Sequence, residues 1–328
     1  MHRPPGRGRS AVAQAVRDLP PLRRPRAGSA GRRSRVRHHR LPHLSRPGRG
    51  GSGGRRRLRP LTGVGAVRVA YRLLGLVVLT LPPWLAYLLT RPLARRFPRF
   101  GVRSHFALIR PWAQAVAALL GLRIEREGEP PPPPFFLVSN HLSYLDVIVY
   151  LASADAVLLS RADVARWPLI GVLARSTGTL FIERSRRTEL PRVIARVRAR
   201  LDAGYGVIVF PEGTSSSGEG VLPFRASLFE VPAAAGLPVH CASLSYDVPS
   251  GRRPARTAVA WWGDMTFGRH ALGLLALPGI RARLRFDPRP VVAADRKELA
   301  RLAEERVRAG FVPTGSGEPA GGGAAEER

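Results

Sequence analysis

From residue 135 onward, short unbroken apolar runs alternate with stretches of helical spacing, and few folds accommodate that order. Residues 135–139 (FFLVS), 156–160 (AVLLS), 179–182 (TLFI) and 206–210 (GVIVF) each read as a buried strand. Residues 238–245, 258–263 and 281–286 read as later strands. Between them, residues 189–203 carry Leu190, Val193, Ile194, Val197 and Leu201 on one helical stripe, closed by Gly204 and Gly206. Residues 224–235 and 295–309 read as helices, the latter with Asp295 as its N-cap. Strands alternating with helices predict an α/β domain over residues 123–311, its central sheet mostly parallel and flanked by helices.

Charge divides the chain. The 328 residues hold 53 Lys+Arg against 23 Asp+Glu, a net +30. Residues 1–60 contain 18 arginines, one acid (Asp18) and no aromatic residue, so +17 of the total sits there. Such a segment buries too little apolar surface to offset its ordering entropy, which predicts a disordered basic extension. The tail, 312–328, rich in Gly, Ala and Glu, predicts the same. Anionic lipid is one partner for the arginines. Base stacking is unsupported without aromatic residues, so no nucleic acid is expected. Gly48-x-Gly50-x-x-Gly53 and Gly50-x-Ser52-x-Gly54 match a dinucleotide fingerprint and a nucleophile elbow, but neither follows a strand or opens a helix.

Residues 73–89 (LLGLVVLTLPPWLAYLL) carry no charge. As a helix they reach about 26 Å, marginal for a hydrocarbon core of about 30 Å. Pro82-Pro83 should break or kink that helix. Arg68, Arg72, Arg91, Arg95 and Arg96 flank it, and Trp84 and Tyr87 suit a membrane interface. With a second apolar stretch, 106–122, this predicts a membrane-associated helical segment over 61–122, either lying in one leaflet or spanning once. Residues 125–134, ending in five prolines, read as a stiff linker.

Composition closes several routes. The one lysine, Lys297, follows no glycine, which excludes a P-loop. The one cysteine, Cys241, excludes an intramolecular disulfide framework and a cysteine-cluster zinc site.

Reactive side chains gather in three places. After the first strand come Asn140-His141-Leu142-Ser143-Tyr144-Leu145-Asp146. On one continuous helix His141 and Asp146 would point about 140° apart. With His141 in the loop and Asp146 in the first helical turn they can pair, leaving one ring nitrogen as a base for a substrate hydroxyl. Ser143-x-x-Asp146 also fits a capping box, which would make Asp146 a helix-start residue only. The second place is Phe181-Ile182-Glu183-Arg184 at a strand end, where an arginine can hold phosphate; a solvated basic turn is the plain alternative. The third is Phe210-Pro211-Glu212-Gly213-Thr214-Ser215-Ser216, where Gly213 permits close approach to a ligand. Pro223-Phe224-Arg225 offers a further cation.

NHLSYLD, GTLFIER, FPEGTSS and GLPVHCASL, in that order, resemble the four blocks of the glycerolipid acyltransferases, the 1-acylglycerol-3-phosphate acyltransferases and their relatives, over residues 123–245. The resemblance implies an enzyme at the cytoplasmic face of the inner membrane. It implies acyl transfer from acyl-CoA or acyl carrier protein to a lysolipid hydroxyl, with no metal or redox cofactor and with membrane lipids as surroundings. It makes His141 the general base and Asp146 its partner. Phe181, Arg184, Glu212, Gly213, Thr214 and Arg225 become substrate-binding residues, Phe181 and Arg184 in the acceptor-binding block with Arg184 near the phosphate.

The first acceptor implied is 1-acylglycerol-3-phosphate, converted to phosphatidic acid in phospholipid biosynthesis. In phosphatidate-forming members, however, the third block continues Gly-Thr-Arg, and Ser215 stands here in place of that arginine. The FPEGTSS block, with Trp262-Gly263-Asp264-Met265 later, looks more like members that acylate other lysolipids such as lyso-ornithine lipid. Two rivals remain: a serine esterase using Ser143 or Ser215, and a non-catalytic polybasic protein binding lipid or nucleic acid.

Overall fold

A computed structural model of the chain describes residues 63–167, 170–182, 190–249 and 254–314. The basic extension with its glycine motifs, Glu183, Arg184 and the tail beyond Thr314 lie outside these residues.

The core is one seven-stranded sheet in the order β1-β7-β6-β2-β5-β3-β4. Its strands are β1 (Leu122–Glu127), β2 (Phe136–Ser139), β3 (Ala156–Arg161), β4 (Leu180–Ile182), β5 (Gly206–Val209), β6 (Val239–Asp247) and β7 (Ile280–Phe286). All neighbours run parallel except β6 and β7. The mostly parallel sheet expected from the alternating pattern is therefore present.

The apolar runs are explained by burial on both faces. Phe136, Val138, Val207 and Val209 face one layer, with Val193, Val197 and Leu201 of α5 (Leu190–Asp202) and Leu299 and Ala303 of α8 (Arg296–Gly310). Leu137, Ile208, Leu244 and Leu284 face the other. There they meet α1 (Gly63–Arg96), α2 (Pro98–Leu120) and α3 (Leu145–Ser153). Asp295 caps α8 as expected, accepting from the amides of Lys297 and Glu298 at 2.9 Å.

Helix α1 is long and apolar enough to cross a membrane, and large apolar side chains from Val64 to Leu93 are exposed along it. It runs without interruption through Pro82, Pro83 and Pro92, contrary to the expected break. Packing along α2, including a bond from the Trp112 indole to the Thr80 hydroxyl at 3.2 Å, holds its course where prolines remove backbone donors. Its start is fastened by buried Arg72, which donates to the carbonyls of Leu119, Leu275 and Leu277 at 3.0, 2.9 and 2.7 Å. Arg68 donates to Ala276 at 2.9 Å. These acceptors include unpaired carbonyls at the ends of α2 and α7 (Phe267–Leu275), where a cation is favoured.

Three local readings need correction. Residues 258–263 form no strand. A helical turn, Ala255–Ala258, leads into Val259 and Ala260, both fully buried, because β7 already pairs with β6. The expected linker at 125–134 begins inside β1, an edge strand whose Glu125 and Glu127 pair with Arg281 and Arg285 of β7 at 3.2 Å. Charged, half-solvated edges carry no apolar run, which hid it. Helix 224–235 opens as a 3-10 turn, Ala226–Phe229, and only then becomes α6 (Glu230–Ala235). Helices α4 (Ile170–Ser176) and α7 were not foreseen.

Candidate active site

Register assembles the site. β2 and β5 are parallel neighbours with Val138 opposite Val209. Both strands therefore end at the same edge, and His141 and Glu212, each three residues past that pair, are brought together there. This edge lies at the carboxyl ends of the strands, where β2 has β5 on one side and β6 on the other, the place where open α/β sheets bind ligands.

His141 occupies the loop and Asp146 the first turn of α3. Their side chains meet, His141 Nδ1 to Asp146 Oδ2, at 2.8 Å. Asp146 is fully buried, while the His141 side chain keeps 24% of its surface exposed. With Nδ1 engaged, Nε2 is the ring nitrogen left for proton transfer. The imidazole also lies flat against Phe210, which follows β5.

Asp146 carries the capping role as well. Oδ2 accepts from the amides of Leu142 at 2.8 Å and Ser143 at 3.2 Å, and the Ser143 hydroxyl accepts from the Leu145 amide at 3.3 Å. The capping and orienting readings of Asp146 are thus one geometry. The same oxygen that fixes the helix start fixes the imidazole.

The third block closes over this loop. The Ser216 amide donates to the His141 carbonyl at 3.0 Å, and the Trp261 amide to the Leu142 carbonyl at 2.9 Å. Ser215 donates its hydroxyl to the Trp261 carbonyl, completing a ring of backbone around His141. Gly213 turns the chain at φ 79°, a conformation glycine adopts without a Cβ penalty. Its amide donates to the Phe210 carbonyl at 3.2 Å.

Glu212 is 3% exposed. Neither of its oxygens has a well-formed hydrogen bond among the described residues. The amides of His141 and Leu222 lie near enough to favour the anion, but burial outweighs them and pushes the carboxyl up to about 8. Thr214 is exposed on the turn. Arg225 is exposed too, and its amide closes the loop on the Pro211 carbonyl at 3.0 Å.

Phe181 is not brought to His141. It sits half-buried on β4, three strands from β2, about 14 Å away at ordinary strand spacing. Cys241 is buried, its thiol pushed up to about 12 by burial first, so it is no nucleophile. Among the described residues no cluster of His, Cys, Asp and Glu could hold a metal ion.

Sequence reading missed two supports beneath the pair. The Asn140 carboxamide clamps Leu244 of β6 twice, donating to its carbonyl and accepting from its amide, both at 2.8 Å. Tyr246 donates its hydroxyl to Asp146 Oδ1 at 2.8 Å. One signal was available: Tyr246 shares a strand face with Ala242 and Leu244, and a hydroxyl on an apolar face needs a partner.

A protein-family profile described as Acyltransferase matches residues 123–245. Proteins named lyso-ornithine lipid O-acyltransferase are similar. That of Rhodobacter capsulatus is 35% identical over 62% of this chain and 78% of its own length. That of Brucella abortus is 32% identical over 75% of this chain and 94% of its own. The 1-acyl-sn-glycerol-3-phosphate acyltransferase of Neisseria gonorrhoeae is 34% identical over 44% of this chain and 58% of its own. In fold, the crystal structure of the 1-acyl-sn-glycerophosphate acyltransferase PlsC from Thermotoga maritima superposes with a TM-score of 0.56 at 22% identity, covering 75% of this chain and 94% of that one.

Proposed function

This chain belongs to the glycerolipid and lysolipid O-acyltransferases, and we propose that within them it moves an acyl chain from a thioester to the hydroxyl of lyso-ornithine lipid. It is a membrane-associated enzyme that acylates a lysolipid. The observation that carries the finer reading is Ser215. Where phosphatidate-forming members resembling this chain place an arginine, this chain has a serine whose hydroxyl is spent on the Trp261 carbonyl. A phosphate headgroup has no cation there, whereas ornithine brings an ammonium and a carboxylate of its own. The similarities to the Rhodobacter and Brucella proteins, over 62% and 75% of this chain, support the same acceptor. 1-Acylglycerol-3-phosphate is the second reading, favoured by the shorter similarity to the Neisseria protein.

In this reading Asp146 holds Nδ1 of His141, and Nε2 takes the proton of the acceptor hydroxyl as its oxygen attacks the thioester carbonyl. The new C–O bond forms, the C–S bond breaks, and the proton passes from Nε2 to the departing thiolate of coenzyme A or acyl carrier protein. In this reading the acceptor enters a crevice beside His141, with Glu212, Gly213 and Thr214 on its acceptor side and Arg225 beyond them. Phe181 lies further along the sheet edge and meets the lipid away from the reacting hydroxyl, and Arg184, three residues later in sequence, is assigned to the acceptor as well. Helix α1 keeps the crevice at the cytoplasmic face of the inner membrane, where the lysolipid resides.

The test uses membranes containing the full chain, a labelled acyl donor and a panel of lysolipids. Label should pass to lyso-ornithine lipid, and His141→Ala should abolish transfer while the fold survives. Transfer to 1-acylglycerol-3-phosphate alone would reverse the acceptor assignment. Near-normal turnover by His141→Ala would remove His141 as the base.

A further inference from the structure

Asp146 presents two oxygens to its surroundings, and they are treated differently. Oδ2 gathers three donors, His141 Nδ1 and the amides of Leu142 and Ser143. Oδ1 takes the Tyr246 hydroxyl, 100 residues away in sequence. A carboxylate turns readily about its last side-chain bond, where the torsion is broad and roughly two-fold. The three donors hold one oxygen and the Tyr246 hydroxyl holds the other, so the carboxylate is restrained on both sides, and Tyr246 supplies the only hydrogen bond to Oδ1 among the described residues.

Tyr246 is placed to supply that restraint. It is 2% exposed, and burial, reinforced by Asp146, holds its phenol well above the ordinary range, so it remains a donor. Its own position is set two residues earlier, where Asn140 clamps both backbone groups of Leu244. Asn140 directly precedes His141. The loop carrying the base and the strand carrying the tyrosine are therefore locked to each other on either side of Asp146. Tyr150, another fully buried phenol, donates to Ser139 at 2.5 Å and does not compete for Asp146.

We propose that Tyr246 is a positioning residue of the acyl transfer, its hydroxyl fixing the Asp146 carboxylate that aims the His141 imidazole. This rests on the reading of His141 as the base. Tyr246 touches no substrate, so its loss acts on turnover and leaves binding alone.

The experiment compares Tyr246→Phe, Asp146→Asn and the double variant in full-length, membrane-bound enzyme. Tyr246→Phe should lower kcat roughly ten-fold, the size of one hydrogen bond to a charged group, with KM for donor and acceptor unchanged. In the Asp146→Asn background the same substitution should cost nothing further, because the path through the carboxylate is already cut. A hydroxyl serving only the fold would instead give losses that multiply in the double variant, and that outcome overturns the proposal. So does an unchanged kcat or a raised KM. Tyr246→3-fluorotyrosine keeps the donor at nearly the same volume. It should retain turnover, and loss of turnover in this variant also counts against the proposal. If His141→Ala is inactive while Tyr246→Phe is normal, this inference alone falls. If His141→Ala is active, the reading beneath it falls first.

Discussion

The ring of His141 lies on the ring of Phe210 with centroids 4.3 Å apart and planes 14° from parallel. The two residues come from loops after different strands, β2 and β5, and meet because those strands are parallel neighbours in register. The stack restrains the imidazole from the side, while Asp146 restrains it at Nδ1.

Phe210→Leu keeps the burial and removes the flat face. Turnover should fall several-fold, with KM for the acyl donor near its original value. A melting temperature within a few degrees would show that the fold survives, since volume-conserving apolar swaps usually cost less than about 1.5 kcal/mol. Unchanged turnover would mean the stack has no orienting role.

Asp146 and Ser143 can be separated by substitution. Asp146→Asn should reduce turnover at least 100-fold and also lower the melting temperature, because the carboxylate both aims His141 and caps α3. Ser143→Ala loses only the hydroxyl that accepts from Leu145. It should cost about 1 kcal/mol of stability and leave turnover largely intact. Steady-state assays beside thermal melts of both variants check this. A Ser143→Ala enzyme as inactive as Asp146→Asn would instead point to the serine esterase.

Ser215→Arg places a cation at the rim of the crevice and breaks the bond to Trp261. The ratio of turnover on 1-acylglycerol-3-phosphate to turnover on lyso-ornithine lipid should rise at least ten-fold. Parallel assays with both acceptors measure that ratio. No change would mean that position 215 does not select the headgroup.

Glu212 makes stability depend on pH. Its carboxyl is raised to about 8 by burial, from an ordinary value near 4.5 when unfolded. The folded chain then holds a proton that the unfolded chain has lost, so stability from this group falls as pH rises between those values. Asp146 nearby strengthens the effect and Arg308 opposes it. Glu212→Gln should flatten the decline in melting temperature between pH 5 and 8 and should melt above the unsubstituted chain at pH 8. An identical slope in both would show that Glu212 ionises normally.

Much of this was written locally. The α/β class, the helix over α5 and the cap at Asp295 rest on spacing within a dozen residues, which a linear reading detects. The apolar leader and the His141–Asp146 turn are also local, and so is the substitution at Ser215. What local pattern could not decide was which strand lies beside which. Sheet order set Val138 against Val209 and so brought Phe210 and Glu212 to His141, while it left Phe181 three strands away. It also brought Tyr246 to Asp146 and Leu244 to Asn140 across about a hundred residues of chain. It turned residues 258–263 from an expected strand into a brace, because β7 had taken the place beside β6. Such contacts depend on the energy of the whole packed sheet. Period and propensity report only which face of a strand is apolar, and say nothing of its neighbour.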